Sequence, residues 1–234
     1  MSGFYLRGAL IEFRPTFLIP LPNVIIFQFN PETMSHTWTP PKALSESGAG
    51  GNPLTVKGDP GESFSLTLAM DAGDMIADGS VVAQGIATLS GVYTRLAALE
   101  LLQFPVATGA KGMVGSVSAG AAAATGGAAA VSRPVPEAQV PTVLFVWGPG
   151  RILPVRVTDL KITEKLYDPF LNPTHAEAAI TLKVITRDEL VHLTGPLKEI
   201  AQGAYKYSQG VREALAIANL ANSVESVVGM VTSI

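Results

Sequence analysis

Val24-Ile25-Ile26-Phe27-Gln28-Phe29-Asn30-Pro31-Glu32-Thr33 is an almost unbroken apolar run that ends at an Asn-Pro turn. The chain then resumes as Met34-Ser35-His36-Thr37-Trp38-Thr39-Pro40. Between 24 and 29 only Gln28 offers a side to solvent, so this strand is expected to be covered on both faces. A chain with little helix must find much of that cover outside itself. Just upstream, residues 4–13 read as a first strand ended by Pro15, and Pro20 and Pro22 bracket the turn between the two.

Downstream, residues 40–61 carry four prolines and five glycines and read as an exposed loop. In Glu62-Ser63-Phe64-Ser65-Leu66-Thr67-Leu68-Ala69-Met70-Asp71, strict alternation sends Phe64, Leu66, Leu68 and Met70 to one face. Ser63, Ser65, Thr67 and Ala69 take the other face, where they either meet water or line a lumen. At 91–102 the period changes: Val92, Leu96, Leu99 and Leu102 share a helical face, with Ser90 as the expected N-cap and Pro105 as the stop. Residues 107–140 are rich in Gly, Ala and Pro and predict a flexible loop.

The second half opens with Thr142-Val143-Leu144-Phe145-Val146-Trp147, again apolar on both faces. Val155 and Val157 then fall on odd positions while Leu160 and Ile162 fall on even ones, which predicts a β-bulge near Thr158-Asp159. Ala178, Ile180, Leu182 and Val184 restore clean alternation. From Leu197 to about Val231 the pattern is helical, with breaks expected at Gly203 and Gly210. Its apolar stripe is Val211, Leu215, Ala218, Ala221, Val224, Val228 and Val231, placed to dock on the chain's own sheet or on a neighbour.

Composition sets the outer limits. Hydrophobic residues make up 47% of the 234 and charged residues only 15%, against about 25% in ordinary soluble domains. No run of roughly 20 apolar residues is present to cross a bilayer, and no secretory signal is visible at the amino end. Burial against partners is therefore the expected account of the missing charge. A net charge of −3 without a Lys/Arg cluster argues against nucleic acid. Absence of cysteine removes disulfides, thiolate metal sites and thiol nucleophiles.

Candidate chemistry is sparse. His36, His175 and His192 are far apart, and Glu189 with His192 reads as a surface pair. Asp71, Asp74 and Asp78 have the wrong spacing for a calcium loop and read as a solvated acidic turn, with a weak ion site as the alternative. Neither a Gly-x-Ser-x-Gly elbow nor a phosphate loop occurs, since Gly109-Ala110-Lys111-Gly112 lacks the required ending. No catalytic, cofactor-binding or metal residue is assigned, and the chain reads as a non-enzyme. Two other classes stay open: a β-scaffold hydrolase resting on the Asp71 cluster or the Glu189/His192 pair, and a carbohydrate- or receptor-binding module using Trp38, with Trp147 expected to be buried.

Several blocks in order carry a resemblance. They are Phe27-Gln28-Phe29-Asn30-Pro31-Glu32-Thr33; Gly61-Glu62-Ser63-Phe64 with Leu66, Leu68 and Asp71-Ala72; and Leu96-Ala97-Ala98-Leu99-Glu100. Leu144-Phe145-Val146-Trp147-Gly148, Arg151-Ile152-Leu153-Pro154-Val155, Ile162-Thr163-Glu164 and Leu171-Asn172-Pro173-Thr174-His175-Ala176-Glu177 follow. Over roughly residues 5–190 the chain resembles the tube-like domain of baseplate proteins of contractile injection systems, the tube initiators or spike–tube adaptors of phage-tail-like particles. The resemblance implies a mainly β fold, a β-barrel or sandwich of tail-tube type, with a flanking helix and a C-terminal helical tail. It implies a tube-like domain over 1–195 and a helical segment over 196–234, where relatives often carry a LysM module that this segment is too short and too helical to be.

The function implied is structural. A ring, expected to be a hexamer, joins a trimeric spike or hub protein to the inner tube protein among other baseplate components and nucleates the tube. Nucleic acid, direct membrane insertion and cofactors have no part in it. Assembly is expected in the cytoplasm, into a particle whose release is left open. The alternative within the same particle is the bulk inner-tube subunit.

Overall fold

A computed structural model of the chain describes residues 5–13, 22–43, 54–78, 81–105, 140–193 and 197–232. The fold is mainly β, 40% strand against 34% helix. Its centre is a seven-stranded antiparallel sheet built from β1 (Ala9–Phe13), β2 (Pro22–Ile26), β3 (Met34–Thr39), β6 (Gly61–Asp71), β7 (Val143–Val146), β8 (Ile152–Tyr167) and β9 (Pro173–Val184). The spatial order is β2-β1-β7-β8-β9-β6-β3. The expected exposed loop at 40–61 contains a two-stranded sheet, β4 (Lys42–Ala43) with β5 (Val56–Lys57).

The sheet curls on itself. Phe64 on β6 and Phe145 on β7 are separated by two strands in the sheet, yet their rings lie 5.4 Å apart. The inner face is the alternating set read from the sequence: Phe64, Leu66, Leu68 and Met70 on β6, and Ala176, Ala178, Ile180, Leu182 and Val184 on β9, all buried. The register shift between Val157 and Asp159 is the expected bulge, past which β8 keeps pairing with β9 as far as Tyr167.

Curling needs a seam, and Gln28 supplies it. Its amide donates to the Asp71 carbonyl (Nε2 to O 2.8 Å) and accepts from the Asp71 N–H (3.1 Å), ties that a strand neighbour would otherwise make. Next to it the Asn30 side chain accepts from Gly8 N–H (2.9 Å) and donates to the Leu6 carbonyl (2.8 Å). These ties correct the sequence reading at its starting point. Gln28, expected to face solvent, is 7% exposed, whereas Val24 (47%) and Ile26 (52%) on the outer face of β2 are uncovered. A buried amide can form hydrogen bonds that valine and isoleucine cannot, so the seam takes Gln28 inward.

Helices flank the sheet in greater number than the single one expected between β6 and β7. α1 (Ala72–Asp78) and α2 (Val81–Ser90) precede α3 (Tyr93–Glu100), which continues as a 3₁₀ turn to Gln103. Val92, Leu96, Leu99 and Leu102 are buried as expected. Ser90 is not the cap: it closes α2, and the Val92 N–H at the start of α3 donates to the Pro173 carbonyl (2.9 Å). Gly91 makes that approach possible. It sits at φ +56°, and a Cβ there would lie 2.2 Å from the Pro173 oxygen.

After β9 come α4 (Arg187–Val191), held by a capping box between Thr186 and Glu189, and α5 (Leu197–Thr232). α5 runs unbroken for 36 residues, so Gly203 and Gly210 do not interrupt it. At 1.5 Å per residue it is about 54 Å long. The loop expected at 107–140 lies outside the described residues up to 139.

Candidate assembly interface

The proximal half of α5 is pinned to the start of β8. Ser208 Oγ donates to the Ile152 carbonyl (2.6 Å) and accepts from its N–H (3.0 Å). Tyr207 donates to the Pro149 carbonyl (2.7 Å), and Tyr205 to Asp59 (3.0 Å). Burial, with Asp59 adding to it, pushes the Tyr205 phenol above its ordinary value against the pull of Gln209.

The last pin is ionic. Glu62 extends the inner face of β6 to its end, and its side chain is 3% exposed. Arg212 Nη2 donates to both carboxylate oxygens (3.0 and 3.2 Å), and His36 Nε2 lies 2.8 Å from Oε1. The Arg212 guanidinium covers the Trp38 ring at 4.7 Å, and His36 stacks on Phe64 at 4.4 Å. A buried carboxylate tied this way holds register, and removing its partner leaves an uncompensated charge. The alternation of β6 places Glu62 on the core face, but a sequence does not show that a helix 150 residues later supplies its arginine.

Residues 213–220 are all exposed, with Leu215 at 66%, Ile217 at 68% and Leu220 at 63%. Leu215 and Ala218, expected in a docked stripe, are exposed, and Ala221, Val224, Val228 and Val231 lie outside the described side chains; the docked face is Ala201, Ala204, Tyr205 and Ser208, about two to four turns before Leu215. Leu215, Ile217 and Leu220 point in different directions around the helix, the pattern of a helix surrounded rather than laid on a surface.

At the β2 margin Arg95 donates to the Ile26 carbonyl (3.3 Å). Among the described residues β2 pairs with β1 alone and β3 with β6 alone. Neither Pro22–Ile26 nor Met34–Thr39 contains Lys, Arg, Asp or Glu, and Pro22 is the one residue that blunts pairing. The third exposed apolar feature is the β8–β9 hairpin end, where Leu166, Tyr167, Phe170 and Leu171 stand in solvent.

Two of the carboxylates singled out for chemistry, Asp71 and Glu189, hold helix starts. Asp71 caps α1, accepting from Gly73 N–H (2.8 Å) and Asp74 N–H (3.2 Å), and meets His175 at 3.3 Å. Burial would raise its pKa, but these two N–H groups and His175 outweigh that and hold the carboxyl below its usual value. Glu189 is the capping-box carboxylate and also binds Lys183 (3.0 Å); with His192, which closes α4, it lines a cavity of about 400 Å³ that Arg156 and Ile185 share. Trp147 is half-buried between Phe27 and Phe145, and Trp38 is 43% exposed. Among the described residues no group of three or more His, Asp or Glu is placed to hold a metal ion. No described helix is long and apolar enough to cross a membrane. No protein-family model matches the chain, and no curated protein matches it in sequence.

Proposed function

We propose that this chain is a structural ring subunit of a contractile, phage-tail-like particle, seated in the baseplate where it joins the spike to the inner tube and nucleates the tube. One observation carries the reading: among the described residues β2 and β3 each pair on one side only, and neither strand contributes a charged side chain of its own, Arg95 alone reaching the β2 margin at the Ile26 carbonyl (3.3 Å). Natural sheets guard such margins with lysine, bulges or covering segments unless another chain pairs there. Because the margins differ, pairing β2 of one copy with β3 of the next is head-to-tail, and head-to-tail contacts close into rings when the rotation permits. The outward Val24 and Ile26 would then sit beside the joint. The tail-tube type of fold, the sixfold count and the spike and tube partners come from the resemblance of the motif blocks.

The test is native mass spectrometry and negative-stain imaging of the purified chain, alone and with a co-expressed spike protein. Closed rings of one defined size that capture the spike support the reading. A monomer at high concentration that captures neither spike nor tube subunit overturns it. Counting copies against the sheath protein in intact particles separates a baseplate ring, with few copies, from the bulk tube, with hundreds.

A further inference from the structure

The β8–β9 hairpin ends in an apolar tip built to keep its shape. Leu166 (φ +56°) and Leu171 (φ +64°) both adopt the left-handed conformation that side chains other than glycine, asparagine and aspartate rarely take. Asp168 enforces it. Its carboxylate accepts from the Phe170 N–H (2.8 Å), the Asn172 N–H (2.9 Å) and the Asn172 side chain (2.9 Å). Its own N–H donates to the Asn172 carbonyl (3.0 Å), and Thr174 donates to the Leu166 carbonyl (3.0 Å). This rigid frame leaves Phe170 85%, Leu171 78%, Leu166 72% and Tyr167 54% exposed. Leu89, 80% exposed, extends the patch, because Asn172 donates to its carbonyl (3.1 Å). Strain held by a hydrogen-bonded frame that presents apolar side chains is a feature of binding loops rather than of passive turns.

The other end of the same ribbon carries the complement. Where β9 leaves the sheet, α4 and α5 bound a groove of about 440 Å³ with Leu190, Val191 and Tyr205 along it and Arg187, Lys206 and Glu213 at its polar edge. It is large enough for one aromatic side chain and an aliphatic neighbour. Glu164, just before the tip, would meet the cations of that edge, Arg187 and Lys206, while Lys165 stays paired with Glu177 of its own chain. Twelve residues of β9 separate tip from groove, about 40 Å, so the two cannot meet within one molecule.

We propose that the 166–171 tip inserts Phe170 and Leu171 into the α4/α5 groove of a second copy of this chain. This contact runs along the ribbon axis and is distinct from the lateral pairing of sheet margins. It rests on the tip and the groove and not on the ring reading.

The cysteine-free chain makes the test direct. Full-length Phe170→Cys and Val191→Cys proteins are oxidised separately and as a mixture. A disulfide-linked dimer formed in the mixture, and not in either protein alone, is expected. A mixture that stays monomeric, or homodimers of equal yield in each protein alone, overturns the proposal. Phe170→Ser, at an exposed position that leaves the fold intact, is expected to weaken self-association at least about tenfold by sedimentation. Unchanged association overturns the proposal, as does a variant that keeps self-association but loses capture by purified spike or tube protein. Rings without the mixed cross-link sink this contact and spare the ring; the cross-link without rings does the reverse.

Discussion

β2 and β7 look alike as sequence and behave differently as structure. Both belong to apolar runs, residues 24–29 and 143–147, although β2 itself begins with Pro22 and Asn23. In β7, Val143 (0%), Leu144 (8%) and Phe145 (0%) are buried whichever side they face, and β7 is flanked by β1 and β8 inside the sheet. In β2, Ile25 (9%) faces the core while Val24 and Ile26 face solvent, because β2 is the last strand of the sheet. An apolar run therefore states that cover is needed; the strand order decides whether the chain itself or a neighbour provides it. The expectation that such strands must seek cover elsewhere fails for β7 and applies to the outer face of β2.

The largest effect should come from the interior member of the pair. Phe145→Ala removes a fully buried ring that touches Phe64 and Trp147, and it should cost about 3–5 kcal/mol in urea unfolding. A cost under about 1 kcal/mol would put β7 and β2 in the same class and dissolve the contrast. Next is the seam that brings the β2 margin round to β6. Gln28→Leu keeps the volume but leaves both backbone groups of Asp71 without the amide, an expected loss of about 1–3 kcal/mol. Hydrogen exchange at Asp71 should accelerate in that variant more than exchange at Leu66, midway along the same strand.

Much of the inner architecture was legible in the sequence because it rests on period two alone. The core faces of β6 and β9 and the bulge before Asp159 follow from side-chain alternation. The buried face of α3 follows from helical spacing. What was not legible depends on contacts distant in the chain. Gln28 is inward because Asp71, 43 residues away, needs partners, and Glu62 is tolerated inside because Arg212 reaches it. α1 and α2 escaped notice because the Asp71 cap reads equally as an acidic turn, and Gly85 and Ser90 give α2 no clear start or stop signal. In α5 the pattern marked an apolar stripe but not where the sheet beneath it ends. Of the candidate interface, the composition led only to an expectation of surface buried against partners; it did not show that exposed apolar side chains stand at β2, at the hairpin tip and along residues 213–220 of α5.

A smaller effect belongs to the Asp71 side chain. Asp71→Ala removes the α1 cap and should cost about 1 kcal/mol. The sign of its pH dependence follows from the lowered pKa. The folded carboxyl stays ionised below the pH at which the unfolded one protonates, so its contribution is full above the unfolded pKa. It is lost as pH falls through the lowered folded value. Urea midpoints of wild type and Asp71→Ala should therefore differ at about pH 6 and converge toward about pH 2. A gap that persists unchanged at the acid end would assign the loss to packing instead of to the charge.

The smallest expected change in stability is also the sharpest test of the opening contrast. Val24→Thr with Ile26→Thr makes the outer face of β2 polar while keeping β-branched side chains that suit a strand. Since neither side chain is buried in the isolated chain, unfolding free energy should move by no more than about 0.5 kcal/mol. Assembly should respond differently. If the β2 margin meets β3 of the next copy, Val24 and Ile26 flank the joint, and native mass spectrometry should show rings giving way to monomer at equal concentration. A loss of more than about 1 kcal/mol in the isolated chain would mean that the chain already covers this face itself. β2 would then be a second β7, and its exposed valine and isoleucine would no longer argue for a neighbour.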